Sequence, residues 1–385
     1  MRERLGIYIH IPFCEKKCNY CGFLSYGKPC INDIDNYVAH LTKEIEINGE
    51  TIGEKYYVDT VFIGGGTPSM VDSFHIKNIM ETIKGNFYLI KDAEITIEVN
   101  PNSIDEFKVH SYLSAGINRI SMGVQSMNDE ILKSIGRIHN RDEVIRAIDI
   151  MAKCNVDNYN IDLMFGIPGQ TMDMWRETLN EILRYKPPHI SFYSLQLEEN
   201  TVFYTKYKNE ELELINKDLN DEMYHFAIDM LKKNGYSHYE ISNAALKGYE
   251  CNHNMKYWTM AEFMGIGLGA SSFAMGHRAK NVEDLSKYYA LIDEGYASLN
   301  ADEFKKESKQ EAYGIYVFTR LRLTDGIDLS LFEEDFGEKF EDVFSNLMPF
   351  IIEQKSLGNV KYDGNIFALT EQGIDVSNEI MCEFV

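Results

Sequence analysis

The sequence of 385 residues is poor in basic side chains and has no long hydrophobic run. It contains 38 Lys and Arg against 60 Asp and Glu, a formal net charge of −22. Such an acidic chain repels phosphate backbones and anionic membrane surfaces, so we expect no nucleic-acid partner. No apolar stretch approaches the roughly 20 residues that cross a bilayer. The opening MRERLGIYIHIPFC is unlike a secretory signal, and the sequence therefore predicts a cytoplasmic protein.

Cysteine is also scarce and unevenly placed. Three of the seven cysteines, Cys14, Cys18 and Cys21, lie within eight residues, and the other four are scattered. An odd number with this distribution favours metal ligation in a reducing compartment over a disulfide framework. The C-x3-C-x2-C spacing allows three thiolates to hold one iron–sulfur cluster and to leave one iron open. Cys30 as a fourth ligand and a structural zinc site are the alternatives on spacing alone.

Short apolar runs alternate with amphipathic, helix-length segments through the first half of the chain, which predicts parallel strand–helix units. The runs span residues 5–11, 57–63, 94–99, 117–124, 159–165 and 189–195, and the helix-like segments span residues 34–47, 74–85, 142–154 and 172–185. The fold class is therefore α/β, with a partial (βα)6 barrel, open or closed. Its chemistry is expected at the carboxyl ends of the strands.

We divide the chain into three predicted parts. Residues 1–205 form the (βα)6 core, and residues 206–300 supply helices that cover the barrel, together with a glycine-rich segment. A helix is predicted over residues 210–235. Residues 301–385 form a C-terminal α+β domain of helices with a β-wing, because Asp363-Gly364 between alternating segments is a strong hairpin signal. A helix of about residues 371–383 ends the chain.

Polar and glycine-rich residues lie at or just after the carboxyl ends of the predicted strands, where a parallel α/β fold places its chemistry. Cys14 follows the first strand, GGGTPS (64–69) the second and Gln125 the fourth; Glu98 and Asp162 lie within the third and fifth, and Gln196 follows the sixth.

Several segments together resemble one family. YIHIPFCEKKCNYCGF (8–23) resembles the cluster-binding loop of the radical SAM superfamily, and GGGTPS supports it independently. The further segments ITIEVNP, INRISMGVQS, NIDLMFGIPGQT and ECNHNMKYW extend the resemblance along the chain. Within the superfamily the chain is similar to the branch of oxygen-independent coproporphyrinogen III dehydrogenase and, more closely, the heme chaperones of the HemW family.

The resemblance implies a cluster and a cofactor. Cys14, Cys18 and Cys21 would hold a [4Fe–4S] cluster whose fourth iron takes the amino and carboxylate groups of S-adenosylmethionine. An electron from a flavodoxin or ferredoxin would then cleave a carbon–sulfur bond, giving methionine and a 5′-deoxyadenosyl radical. Sequence does not decide whether this cleavage is productive, and we assign no residue a catalytic role.

The resemblance also implies which residues contact S-adenosylmethionine. The predicted set is Tyr8, Tyr20, Gly65, Gly66, Thr67, Glu98, Gln125, Arg137, Asp162 and Gln196. Carboxylate and amide oxygens suit ribose hydroxyls, and an arginine fork suits a carboxylate. Ala270 and Ser271 are weaker candidates for adenine contact. For any one of them the alternative is an ordinary polar residue at the barrel mouth.

HNMKYW (253–258) resembles the H-N-x-x-Y-W motif associated with heme binding in the chaperone branch. It makes His253 a candidate axial ligand and Cys251 a candidate thiolate ligand. The alternative is a hydrogen-bonded core histidine, in which case His139 or His238 would serve. Because the net charge is negative, heme propionates would need a local basic partner. The candidates for that partner are Lys256 and Arg278.

The favoured hypothesis is a heme chaperone that hands heme to an acceptor protein, which could itself be a membrane protein. The alternatives are a coproporphyrinogen III dehydrogenase and a radical SAM enzyme acting on another small molecule. The dehydrogenases typically carry a further cysteine at the position of Phe23, and they have an N-terminal extension before the segment that begins here at Tyr8. Both departures favour the chaperone branch.

Overall fold

The computed structural model describes residues 2–385. The strands are β1 (Glu3–Ile11), β2 (Phe13–Cys14), β3 (Tyr26–Gly27), β4 (Tyr56–Gly65), β5 (Tyr88–Val99), β6 (Arg119–Gln125), β7 (Tyr159–Phe165), β8 (His189–Ser194), β9 (Ser237–Glu240), β10 (Asn243–Ala245), β11 (Phe263–Ile266), β12 (Ser271–Ala274), β13 (His277–Lys280), β14 (Lys305–Lys306), β15 (Ile327–Asp328), β16 (Val360–Tyr362) and β17 (Ile366–Leu369).

The helices are α1 (Ile31–Ile52), α2 (Ser73–Asn86), α3 (Glu106–Ala115), α4 (Asp129–Ser134), α5 (Arg141–Lys153), α6 (Met172–Arg184), α7 (Val202–Lys208), α8 (Lys217–Lys233), α9 (Asn252–Trp258), α10 (Leu285–Asp293), α11 (Lys309–Arg320), α12 (Leu329–Phe336), α13 (Phe340–Val343), α14 (Met348–Ser356), α15 (Glu371–Ile374) and α16 (Ser377–Cys382). Within residues 2–385, no helix is both long and apolar enough to span a membrane.

The six predicted strands form the parallel core of one large sheet, in the order β1-β4-β5-β6-β7-β8. The prediction of a partial (βα)6 barrel is confirmed, and the sheet stays open. Each strand buries alternate residues beneath the outer helices in one continuous apolar core. The opposite set of residues on each strand faces inward, and this inner face is where polar side chains collect.

The region 206–300 is helical only in part, so the prediction of covering helices was incomplete. Strands β9 and β10 extend the sheet beyond β8, and β11 to β13 extend it beyond β1. Strand β11 lies in the glycine-rich run and pairs in parallel with β1. Gly265 is required there because a Cβ atom would stand 2.3 Å from the carbonyl oxygen of Ser271. The strand has only four residues, FMGI, and runs directly into Gly267 and Gly269, so the sequence pattern was too short to reveal it.

The helix predicted over residues 210–235 begins at Lys217 instead. The Asn216 side chain accepts a hydrogen bond from the backbone N–H of Leu219 and fixes this start. Upstream, Glu210 has a φ of 59°, which is incompatible with a continuous helix. The chain between α7 and α8 is therefore a connection rather than the first turns of α8.

Helix α9 closes the amino-terminal side of the barrel. The carboxylate of Glu94 accepts hydrogen bonds from the backbone N–H groups of Asn252 (3.1 Å) and His253 (3.0 Å). Lys256 forms a buried ion pair with Asp59, with 2.7 Å between Nζ and Oδ1. These contacts bind both ends of the short helix to strands β4 and β5. Helix α9, which we call the plug, therefore closes the barrel at the amino ends of its strands, and the barrel is open at their carboxyl ends.

The C-terminal region combines helices with a β-hairpin, as predicted, and it has its own core, which is rich in aromatic residues. Strands β16 and β17 form the hairpin around Asp363-Gly364, and Gly364 has a φ of 85°. The predicted final helix is instead split into α15 and α16. Gly373 lies against the carbonyl oxygen of Asn359, and Asp375, between the two short helices, pairs with His225 of α8. The region therefore packs directly on the barrel.

Candidate functional site

A cavity of about 810 Å³ lies at the carboxyl ends of the parallel strands. Its lining includes the three clustered cysteines and nine of the ten residues predicted to contact S-adenosylmethionine. These nine are Tyr20, Gly65, Gly66, Thr67, Glu98, Gln125, Arg137, Asp162 and Gln196. Residues from all six parallel strands or the loops that follow them thus meet at one rim, where the parallel fold places chemistry.

The cysteine loop is held to the barrel by backbone contacts. Its start and end are joined by the short β2–β3 pair. In its middle, Asn19 donates from its backbone N–H to the carbonyl of Ile135 (2.9 Å) and accepts from the N–H of Phe203 (2.9 Å). The Asn19 side chain also donates to the carbonyl of Ser134. The loop therefore has a fixed path although it is formed largely of polar residues.

The three thiols are free and face one cavity. Burial raises the pKa of Cys21 to about 11 and also raises that of Cys14, so metal binding must displace protons from both. Thr67 and Arg137 lie 3.7 Å from the sulfurs of Cys14 and Cys18, respectively, and each can donate to its sulfur.

Sulfur donors in one wall fit an iron–sulfur cluster better than an oxygen-binding cation. Across residues 2–385, no three Cys, His, Asp or Glu side chains gather around a single metal-ion position. Thiolates that bind separate corners of a cubane cluster need not converge on one point. Cys30 is exposed, precedes α1, and does not line the cavity.

The glycine-rich segment after β4 is fixed by the cysteine loop. The N–H of Gly66 donates to the carbonyl of Ile11 (2.8 Å), and that of Thr67 donates to the carbonyl of Phe13 (2.7 Å). A Cβ on Gly66 would stand 2.5 Å from the Phe13 oxygen, and Gly65 has a φ of 112°. Glycine is thus required here for a close approach between two protein backbones, in addition to any approach to a ligand.

Two buried carboxyl groups face the cavity. Burial and, to a smaller extent, the nearby Asp162 raise the pKa of Glu98 to about 8, although the N–H of Gly65 donates to Glu98 (3.0 Å) and opposes the shift. The pKa of Asp162 is also raised by burial, although Asn160 (2.6 Å) and Ser121 (3.2 Å) donate to it. Both groups are oriented acceptors that bulk water does not solvate.

Arg137 and Gln125 are positioned from β6 and the chain after it. The guanidinium of Arg137 donates to the side chain of Asn100 (2.6 Å) and to the carbonyl of Gly123. Gln125 has a φ of 68°, which is strained for a residue other than glycine. Its Oε1 accepts from the hydroxyl of Tyr193 (2.7 Å). A rare backbone conformation thus directs an amide into the cavity.

The lining residues that sequence reasoning did not propose include Ser121, Tyr193 and Lys108. Ser121 lies on β6 two and four positions before the lining residues Gly123 and Gln125, and Tyr193 lies on β8 two positions after Ser191, which lines the smaller cavity. Because alternate residues of a strand share a face, strand alternation was the signal that could have identified both. Lys108 lies on α3 and donates to the carbonyls of Ser69 and Ser103. Because it lies on a helix, strand alternation could not have identified it.

Tyr8 is the one member of the predicted set that does not line the main cavity. Its hydroxyl donates to Nδ1 of His10 (3.0 Å), and Nε2 of His10 donates to the carbonyl of Leu24 (2.9 Å). Its ring packs on Phe62, with 6.3 Å between centroids. Tyr8 faces instead a smaller cavity of about 330 Å³. It connects β1 with the end of the cysteine loop.

The two residues predicted to bind heme lie in the plug. His253 is fully buried, and its two ring nitrogens are hydrogen-bonded to Thr60 (2.8 Å) and Tyr257 (2.9 Å). Burial lowers its pKa to about 3. Burial raises the pKa of Cys251 to about 12, and its sulfur contacts Glu94 (3.7 Å). In this arrangement neither ring nitrogen of His253 is available to a metal.

The remaining sequence candidates also have protein partners. Burial lowers the pKa of His139 to about 3 and of His238 to about 4, and each bonds a backbone carbonyl. Lys256 is paired with Asp59, and Arg278 with Glu307. Ala270 and Ser271, at the start of β12, do not line the main cavity.

Two family models match this chain. Residues 8–182 match the model described as the Radical SAM superfamily, and residues 308–376 match the HemN C-terminal domain. The second match lies within the region that the sequence assigned to the C-terminal domain.

Curated relatives align over nearly the whole chain. The sequence is 34% identical over 381 residues to the heme chaperone HemW of Lactococcus lactis subsp. lactis, covering 98% of this chain and 96% of that one. It is 34% identical over 385 residues to HemW of Bacillus subtilis, covering 98% of each.

A solved structure shares the fold. Coproporphyrinogen III oxidase (HemN) from Escherichia coli, a radical SAM enzyme, superposes with a TM-score of 0.88 at 24% identity. The match covers 100% of this chain and 90% of that one. At this identity the match shows a common architecture.

Proposed function

Because this chain belongs to the HemW family within the radical SAM superfamily, we propose that it is a heme chaperone. It holds a [4Fe–4S] cluster and S-adenosylmethionine, binds heme and passes the heme to an acceptor protein. One observation carries the proposal: a cavity lined by three free thiols and by nine of the ten predicted cofactor contacts lies in a chain 34% identical over 98% of its length to a protein named as a heme chaperone.

Cys14, Cys18 and Cys21 are the proposed cluster ligands, and the residues on the facing walls are the proposed S-adenosylmethionine contacts. When bound, the two groups supply reductive cleavage of a carbon–sulfur bond. Arg137 offers an anchor for a carboxylate beside Cys18. Glu98 and Asp162 offer acceptors for ribose hydroxyls. Lys16 and Lys17 are exposed on the cluster loop, where a flavodoxin or ferredoxin could approach.

The proposed heme site lies in the plug formed by α9. The HNxxYW segment is the proposed participant, with His253 or Cys251 as ligand. To bind iron, His253 would have to exchange its bonds to Thr60 and Tyr257 for a metal bond. Heme binding at this segment therefore requires movement of α9. The proposed setting is the cytoplasm, where seven free cysteines stay reduced.

Coproporphyrinogen III dehydrogenation is the second candidate, since the fold matches such an enzyme throughout. Against it, the position after the cluster loop where a further cysteine is expected is the exposed Phe23. Radical chemistry on another small molecule is the third candidate.

The deciding experiment uses one anaerobic, cluster-reconstituted preparation. Heme titration followed by absorbance should show saturable binding, and mixing the loaded protein with an apo-hemoprotein should transfer the heme. Incubation of the same sample with coproporphyrinogen III, S-adenosylmethionine and a reductant should give no vinyl product. Stoichiometric vinyl formation would overturn the proposal in favour of the dehydrogenase. If the preparation neither binds heme nor forms a vinyl product, the third candidate is favoured.

A further inference from the structure

The smaller cavity lies between the main cavity and the α9 plug. It shares walls with the main cavity at Gly65, Glu98, Ser121 and Asp162. Cys251, Asn254 and Tyr257 line it from the plug. Its volume of about 330 Å³ is sufficient for a small organic molecule rather than a macrocycle.

A buried arginine with an unused donor faces this cavity. Arg119 is 1% exposed and stands beside Thr96 in the register of β5 and β6. Its Nη1 donates to the carbonyl of Tyr249 (2.9 Å) and to Asn158 (3.2 Å). Its Nη2 has no acceptor anywhere in residues 2–385. The guanidinium therefore retains two N–H groups with no protein partner.

Thr96 supplies a second unused polar group at the same place. It is fully buried, it lines the cavity, and its hydroxyl has no hydrogen-bond partner among the described residues. Buried polar atoms without partners are uncommon and costly, because each loses its hydration without replacement. Two of them on neighbouring strands of one cavity wall indicate a group that accepts hydrogen bonds from both.

The surrounding charges limit what that group is. Glu94 lies 3.8 Å from Arg119 and already offsets part of its charge. Glu98 and Asp162 lie in the wall shared with the main cavity, so a dianion would meet two further carboxyl groups. A monocarboxylate supplies two acceptor oxygens with a single charge, which matches an arginine fork and a hydroxyl. The rings of Tyr8, Phe62 and Tyr257 form an apolar wall for the rest of the molecule.

We propose that this inner cavity is a binding site for a small monocarboxylate. The carboxylate bonds to Nη2 of Arg119 and the hydroxyl of Thr96, and the apolar body packs on Tyr8, Phe62 and Tyr257. The site adjoins the proposed S-adenosylmethionine contacts at Gly65, Glu98 and Asp162 and the proposed heme segment at Cys251. Its anchors, Arg119 and Thr96, belong to neither set, so its existence does not depend on the proposed function.

The test uses 4-fluorobenzoate as the probe and 4-fluorobenzamide as its neutral match, each followed by fluorine NMR with the full chain before and after cluster reconstitution. We expect saturable broadening of the benzoate signal and at least tenfold weaker binding of the amide, because the amide lacks the charge that the arginine fork recognises. Thr96→Val, which keeps the side-chain shape, should weaken benzoate binding about fivefold through loss of one hydrogen bond.

Arg119→Gln should abolish benzoate binding, with thermal unfolding checked because the residue is buried. Thr82→Val, on the outer helix α2, is the matched control and should bind benzoate as the wild-type protein does. Equal binding of the acid and the amide would overturn the proposal. So would benzoate binding that persists in both Thr96→Val and Arg119→Gln, which would place the probe on surface lysines. Absence of benzoate binding to the wild-type chain, before and after cluster reconstitution, would also overturn the proposal.

Discussion

The carboxyl and amino ends of the barrel are built from the same strands and carry similar polar side chains, but they satisfy those side chains differently. At the amino end, His253, Lys256 and Glu94 each have protein partners that fix the plug. At the carboxyl end, three thiols and two carboxyl groups of raised pKa face an open cavity. Residue type alone therefore does not distinguish a structural group from a ligand-binding group. The distinction lies in whether its hydrogen-bonding capacity is already used.

The largest expected effect is at the cysteine loop. Cys18→Ser should lose essentially all bound iron after anaerobic reconstitution, because the serine hydroxyl is a hard, protonated ligand in place of a thiolate. Iron and labile-sulfide analysis, with absorbance, measures the outcome. Cys30→Ser is the matched control and should retain the wild-type iron content, since Cys30 lies outside the cavity. Equal iron loss in both variants would contradict the assignment.

Arg137 tests whether the open end binds S-adenosylmethionine as proposed. Arg137→Gln should raise the dissociation constant of S-adenosylmethionine about 10- to 100-fold, because a buried charge-assisted pair is lost. Equilibrium dialysis with the reconstituted protein measures this change. Arg141→Gln removes a partly exposed pair with Glu181 on the outer surface and should leave binding unchanged. Unaltered affinity in a folded Arg137→Gln protein would remove Arg137 from the site.

At the plug, we expect mutations to change the free energy of unfolding more than they change cofactor binding. His253→Ala should lower the free energy of unfolding by about 2–4 kcal/mol, since it opens a cavity and leaves the hydroxyls of Thr60 and Tyr257 unpaired. His253→Gln should lose less, and His110→Ala, at an exposed position on α3, should lose little. Denaturant unfolding reports all three variants. Normal stability of His253→Ala together with lost heme absorbance would instead identify His253 as an iron ligand.

Sequence reasoning identified the open end better than the closed end, for a physical reason. The cysteine spacing, the glycine run and the residues within or after each strand are local signals, and parallel topology brings them to one rim. One partner of the His253 ring, Thr60, lies 193 positions away in the chain, and the other, Tyr257, lies one helical turn away. The local sequence therefore does not show that both nitrogens are occupied. Strand β11 was missed because pairing with β1, rather than propensity, makes it a strand.

The same contrast predicts a pH effect at the open end. The pKa of Glu98 rises from its usual 4.5 to about 8 in the folded chain, so the folded state keeps a proton that the unfolded state has released. Stability from this group is therefore complete below the usual pKa and falls as the pH rises toward about 8. Glu98→Gln, measured without cofactors, should raise the melting temperature at pH 8 and have little effect at pH 4.5. An equal change at both values would show that Glu98 does not carry the shift.

The smallest expected effect concerns Tyr8, which stands between the two ends. Its hydroxyl donates a hydrogen bond to His10, and the other ring nitrogen of His10 donates to the carbonyl of Leu24. The Tyr8→Phe substitution removes one part-buried hydrogen bond and keeps the ring packed on Phe62. We expect a loss of about 1 kcal/mol in unfolding free energy and a change of less than about twofold in the dissociation constant of S-adenosylmethionine. Unfolding curves and equilibrium dialysis on the same sample separate the two effects. A large loss of affinity at unchanged stability would show that the hydroxyl reaches the cofactor, and that the open end extends one residue layer deeper than the cavity walls indicate.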